Sequence, residues 1–147
     1  MTTIAPVNEA FTIREDIHVG ASLEKTFASL VAEMGPRNMG PENTPMPMVL
    51  ELRPGGRWFR DLGGDNGHLW GFVQALKTPT LLEICGPLFL STGATSNVQY
   101  RLSAADGGTL ITFTHTLVGP FPDDHRPRLG AGWSALHARV RAAAERQ

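Results

Sequence analysis

The sequence predicts an α+β fold, an antiparallel sheet with helices on one of its faces. Two observations carry that expectation. Six strand-like segments fall into three consecutive pairs, each pair joined by turn-forming residues. Two other stretches, one near the start and one ending the chain, place apolar residues at helical spacing. A chain of 147 residues with 41% hydrophobic and 18% charged content makes a single domain, 1–147, able to bury a real core.

Residues 11–19 alternate as a strand, behind a loose N-terminus at 1–9. Ser22 reads as an N-cap, although Lys25 stands where a capping box would put an acid. Leu23, Phe27, Leu30, Val31 and Met34 then follow at helical spacing, and Gly35-Pro36 stops the helix. Residues 35–47 hold four prolines, two glycines and two methionines without a clear period. They read as a long ordered loop with room for one helical turn, of a length at which connections are often functional.

The first hairpin joins 48–53 to 57–61 through Pro54-Gly55-Gly56. Proline cannot donate to a ladder, and glycine takes the positive φ that a tight connection needs. The second joins 67–76 to 81–85, and the third joins 95–103 to 109–117 through Asp106-Gly107-Gly108. Residues 119–128, with three prolines and two acids, read as loop. Residues 129–146 form the last helix, with Trp133, Leu136, His137, Val140 and Ala144 on one face.

Period-two alternation assigns faces. Leu50 and Leu52 point inward, as do Val98, Tyr100 and Leu102, and Ile111, Phe113 and His115. Residues 67–76 are apolar on both faces, His68, Trp70 and Phe72 against Leu69, Gly71 and Val73, so alternation does not choose between them.

Several function classes lose their support at this level. A net charge of −1 and the lack of a basic run argue against nucleic acid and a membrane surface. The N-terminus carries no signal-peptide pattern, and no apolar run approaches the length of a spanning helix. Cys85, the single cysteine, fits a reducing compartment and reads as an inert buried thiol, so a cytoplasmic location is expected. His18, His68, His115, His125 and His137 show no ligand spacing, and no metal is expected. No nucleophile elbow, Walker loop or dinucleotide fingerprint occurs, and no helix follows the glycine-rich turn 63–67, so no cofactor is expected either.

The GG-hairpin at Pro54-Gly55-Gly56, then Gly71, Gly107-Gly108-Thr109 and Gly132-Trp133, occur in an order that resembles the START-like, or SRPBCC, superfamily of Bet v allergen-like domains. The nearest branch in pattern is that of homologues of the C-terminal domain of the Aha-type activator of the heat-shock chaperone ATPase. The resemblance implies a helix-grip fold, a curved sheet of six or seven strands around a long C-terminal helix that Gly132-Trp133 opens, with a cavity between them. It also places Trp58 inward, which by alternation carries Arg60 inward, and puts the 35–47 loop at the cavity mouth. Relatives usually have leucine where His137 stands, and many carry a tryptophan ahead of the hairpin that residues 33–47 lack.

The implied function is binding of a small, mostly hydrophobic molecule, as a carrier, sensor or sequestering protein. The expected lining is Trp58, Arg60, Trp70, Tyr100, Phe113, His115, Trp133 and His137. Arg60 would clamp a ligand acid or pair with Glu33, Glu51 or Asp61, since a buried charge needs a partner. His115 and His137 either orient a ligand or sit as hydrogen-bonded core histidines. Met34, Met39, Met46 and Met48 gather around the loop as an adaptable lid or as plain packing. Two alternatives remain open. One is a cyclase or dehydratase with His115 or His137 as base and Arg60 or Tyr100 stabilising an enolate. The other is a co-chaperone-like protein–protein module exposing Trp70 and Phe72, with a homodimer possible.

Overall fold

Alternation becomes register in a computed structural model that describes residues 2–4 and 10–146; most of the 1–9 segment lies outside the described residues. Seven strands, β1 (Ala10–Val19), β2 (Val49–Leu50), β3 (Arg57–Gly63), β4 (Asn66–Lys77), β5 (Leu81–Gly86), β6 (Thr95–Ala105) and β7 (Gly108–Val118), form one antiparallel sheet. Their order is β1-β7-β6-β5-β4-β3-β2, so the first strand pairs with the last and the rest follow the chain. Helices α1 (Leu23–Met34) and α2 (Arg126–Glu145) share the inner face. Between them and the sheet lies the core, with Val98, Tyr100, Ile111 and Phe113 from the strands meeting Leu30 and Met34 of α1 and Trp133 and Val140 of α2. Each such side chain contributes about 1.5–3 kcal/mol when fully buried.

Local chemistry sets the element ends. Ser22 caps α1 by accepting the Lys25 N–H at 3.2 Å, with no reciprocal acid. The turns at Gly64-Asp65 and Asp106-Gly107 are two-residue hairpins with both central φ values positive, as the right-handed twist of the flanking strands favours. The 35–47 loop is tied at its base, where Met46 N–H donates to the Asn38 carbonyl and Met48 N–H to that of Gly35. A single 3₁₀ turn, Pro41–Asn43, forms its tip.

The structure departs from the sequence expectation at five places. First, β2 is only two residues long, and Leu52 is exposed instead of inward. The chain leaves the ladder because Glu51 turns its carboxylate onto Arg57, accepting from the backbone N–H at 2.9 Å and the guanidinium at 2.8 and 3.0 Å. These bonds hold the Glu51 carboxyl down at about 2. Gly56 allows the bend, since a Cβ there would lie 1.9 Å from the Glu51 carbonyl oxygen.

Second, β4 carries a bulge. Trp58 pairs with Gly71 but Phe59 pairs with Leu69, which leaves Trp70 as the extra residue. The phase therefore reverses: Trp70 and Val73 are both buried, while Leu69 and Phe72 face out. Third, α2 starts at Arg126, three residues early, after a 3₁₀ turn at Asp123–His125 and with Pro127 in its first turn. Gly132-Trp133 therefore lies inside the helix instead of opening it. Fourth, Cys85 is half-buried, not fully enclosed. Fifth, Arg60 is exposed. It lies beyond Trp58 in the part of the β3–β4 hairpin where, between Arg60 and Leu69, only His68 is even half-buried.

Among the described residues, no helix is long and apolar enough to cross a membrane, and no group of three His, Cys, Asp or Glu side chains could hold a metal ion.

Candidate functional site

The middle of the grip is filled, not hollow. Phe113 on β7 is the hub, with ring centroids 4.5 Å from His137, 4.9 Å from Trp133 and 5.0 Å from Tyr100. Polar atoms in this cluster are matched in pairs. Trp133 Nε1 donates to His115 Nδ1 at 3.0 Å, so the His115 proton sits on Nε2 and points to Ser96 Oγ at 2.8 Å. Burial holds this imidazole neutral, lowering its pKa to about 4. His137 Nδ1 donates to Glu15, and its Nε2 accepts from the Tyr100 hydroxyl at 2.8 Å. Burial lowers the His137 pKa, against the opposing pull of the Glu15 hydrogen bond and charge. Burial, with a smaller effect of the Glu15 charge, pushes the Tyr100 phenol well up. Ser134 Oγ donates to the other Glu15 oxygen at 2.9 Å. With each ring nitrogen engaged, both histidines act as core residues that orient their neighbours.

The open space lies to one side of that cluster. A cavity of about 760 Å³ is bounded by the face of α2 that carries Leu129, Trp133 and Leu136, by Trp58 and Trp70 on the sheet, and by two loops. One loop is the methionine segment, which contributes Met39 and Met46; the other contributes Phe89 and Leu90. Exposed Glu42, His125 and Arg128 stand at the rim, where the cavity meets the surface. Deeper in, Arg139 of α2 places its Nε 3.4 Å from the carboxylate of Glu33, a buried acid on α1. Volume and apolar walls are of the kind that small-molecule sites share.

The structure divides the eight expected lining residues. Trp58, Trp70 and Trp133 line the cavity. Tyr100, Phe113, His115 and His137 are buried in the cluster and contribute nothing to its wall. Arg60 is outside altogether, and the three acids that could have paired with it are engaged elsewhere: Glu33 with Arg139, Glu51 with Arg57, and Asp61 with the Gly63 N–H. The bases expected for cyclase or dehydratase chemistry are therefore shielded, and the imidazole that does reach the cavity is His125 at the rim. Of the four methionines, Met39 and Met46 line the space while Met34 and Met48 are core.

Sequence reasoning missed Glu15, Ser96 and Arg139, and named Glu33 only as a partner for Arg60. A signal existed for Glu15, the one acid in the alternating series Phe11, Ile13, Glu15, Ile17, Val19. The Glu33–Arg139 pair joins two helices 106 positions apart, and no local pattern announces it.

No protein-family model and no curated protein matches the chain. Solved structures do. An uncharacterised protein from Rhizobium leguminosarum superposes with a TM-score of 0.73 at 20% identity, covering 99% of this chain and 100% of that one. Ara h 8.0201 gives 0.68 at 15% identity, over 92% and 98% of the two chains. The Aha1 dimer from Colwellia psychrerythraea, solved in solution, gives 0.64 at 17% identity, over 92% and 96%. At these identities the likeness is one of fold. The chain is a helix-grip domain, as the START-like resemblance in its sequence implies.

Proposed function

We propose that this protein binds a small, mostly apolar molecule in the cavity between α2 and the methionine loop. The observation that carries this reading is a space of about 760 Å³ walled by three tryptophans, two methionines and several leucines and phenylalanines. Apolar walls of that extent gain by excluding water, and a guest of drug-like size would bury most of its surface there. The shielded histidines favour retention over turnover, so the role is that of a carrier, sensor or sequestering protein.

Gly132 provides the test. It lines the cavity, and a Cβ built on it meets no atom within 4 Å, so a large side chain there would project into open space without touching the core. Gly132→Trp is expected to keep the fold and to weaken binding of an apolar fluorophore such as N-phenyl-1-naphthylamine at least tenfold. Native mass spectrometry of freshly purified wild-type protein should show a bound small molecule that the variant lacks. Unchanged fluorophore binding in a folded Gly132→Trp protein would refute the reading.

A second reading, a protein–protein module or homodimer, is favoured by one row on the outer face. Val49, Phe59 and Leu69 are cross-strand partners, and Phe72 stands beyond them, exposed. Trp70, expected on such a face, is buried. The Colwellia neighbour is a dimer, and a dimer here would cover this row. Light scattering of wild type and of Phe72→Glu tests it; a monomer in both cases removes the support.

A further inference from the structure

The three tryptophans that line the cavity differ in one respect. Trp58 Nε1 donates to the Met34 carbonyl at 2.8 Å, and Trp133 Nε1 donates to His115. Trp70 Nε1 is buried and finds no acceptor among the described residues, although its ring packs edge-on against Trp58 and Phe89. A buried indole N–H ordinarily has a partner, because leaving it unpaired forfeits its hydration. Arg139 repeats the pattern: its Nε is buried and makes no hydrogen bond, the Glu33 oxygen at 3.4 Å being out of line. Both side chains line the same cavity, Trp70 from the sheet and Arg139 from α2. Glu33, the ion partner of Arg139, is followed by Met34, whose carbonyl holds Trp58 against Trp70.

Charge narrows the chemistry. The ionised lining groups are Glu42, Arg128 and Arg139, and Arg139 already faces Glu33, so positive and negative charges balance. An anionic guest would be a third charge beside a neutralised pair and would lose its own hydration on entry. A hydrocarbon would leave both donors unpaired. An uncharged molecule carrying a carbonyl oxygen satisfies them without either cost.

We infer that the preferred ligand is an uncharged, largely apolar molecule with at least one carbonyl acceptor, directed at Trp70 Nε1 and Arg139 Nε. This inference rests on the cavity-binding reading and specifies its ligand class. Three probes of nearly equal shape separate the possibilities: 2-acetylnaphthalene, 2-ethylnaphthalene and 2-naphthoate, each titrated calorimetrically. The ketone is expected to bind about fivefold or more tighter than the hydrocarbon, the effect of one buried neutral hydrogen bond. Trp70→Phe, which removes the N–H and also trims the cavity wall, should lower ketone affinity more than 2-ethylnaphthalene affinity, so that the ratio between the two falls to about one. Among the three indole N–H resonances of wild type, ketone binding should move that of Trp70 downfield and hydrocarbon binding should not. This readout needs no variant once the resonances are assigned. Equal affinity for ketone and hydrocarbon would overturn the inference while leaving the cavity reading intact, and tightest binding of the naphthoate would replace it with an acid-binding site. Failure of all three probes, together with an unlabelled fluorophore site, would remove both readings.

Discussion

His115 shows how a residue type that suggests chemistry can be fixed in a structural role by its neighbours. Trp133 supplies a proton to Nδ1 and Ser96 takes one from Nε2, so the neutral ring is the only form that satisfies both. Its pKa falls from the ordinary 6.5 to about 4 because burial disfavours the charged form, and that of His137 falls in the same direction. In the window between those two values the unfolded chain takes up protons that the folded chain refuses. Stability is therefore complete above about pH 6.5 and declines as pH is lowered, by an amount on the order of 3 kcal/mol for His115 near pH 4. Urea unfolding from pH 7 to 4.5 should show this decline in wild type and a shallower one in His115→Gln; parallel curves would mean that His115 is not held neutral. Tyr100→Phe removes the hydroxyl that His137 Nε2 accepts from, and should lower stability by about 1–3 kcal/mol in the same assay.

At the scale of elements, the β4 bulge decides what the cavity is made of. Without the extra residue, Trp70 and Val73 would point to opposite faces, and one of them would leave the interior. The bulge depends on Gly71 and Gly86, whose backbones meet so closely that a Cβ on Gly71 would lie 2.7 Å from the Cys85 carbonyl oxygen. Gly71→Ala is expected to cost about 1–3 kcal/mol and to lower the thermal midpoint. Gly130→Ala is the matched control within α2. Its Cβ would meet nothing within 4 Å, and the change should raise stability by up to about 1 kcal/mol through helix propensity. The bulge was not legible in the sequence. Residues 67–76 are apolar in both phases, and period-two reasoning assumes that the phase never slips. The hairpins at 77–80 and 106–108 were legible, because Lys77-Thr78-Pro79-Thr80 and Asp106-Gly107-Gly108 are turn residues between strand-like runs.

For the whole molecule, the packing of α2 against the sheet determines where space remains. Tyr100, Phe113 and Trp133 fill the middle together with two histidines, and the cavity lies to one side, between α2 and the methionine loop. Leu30→Ala, at the contact of α1 with the filled part, should cost about 2–5 kcal/mol without altering ligand affinity, because Leu30 is fully buried but does not line the cavity. Chemical denaturation combined with fluorophore titration checks both halves of that expectation. A parallel loss of affinity would place core and cavity in one cooperative unit.

The residues alone settled the element order, the three hairpins and the inward faces of β6 and β7, because each depends on local periodicity or turn chemistry; the inward Trp58 came through the START-like resemblance. The sequence could not decide which inward residues would touch a guest. That follows from which side chains meet across 18 and 122 positions of chain, as Trp133 meets His115 and His137 meets Glu15, and from how completely they fill the space. Arg60 failed as an expectation for the same reason: a face is a local property, whereas burial requires something packed over it.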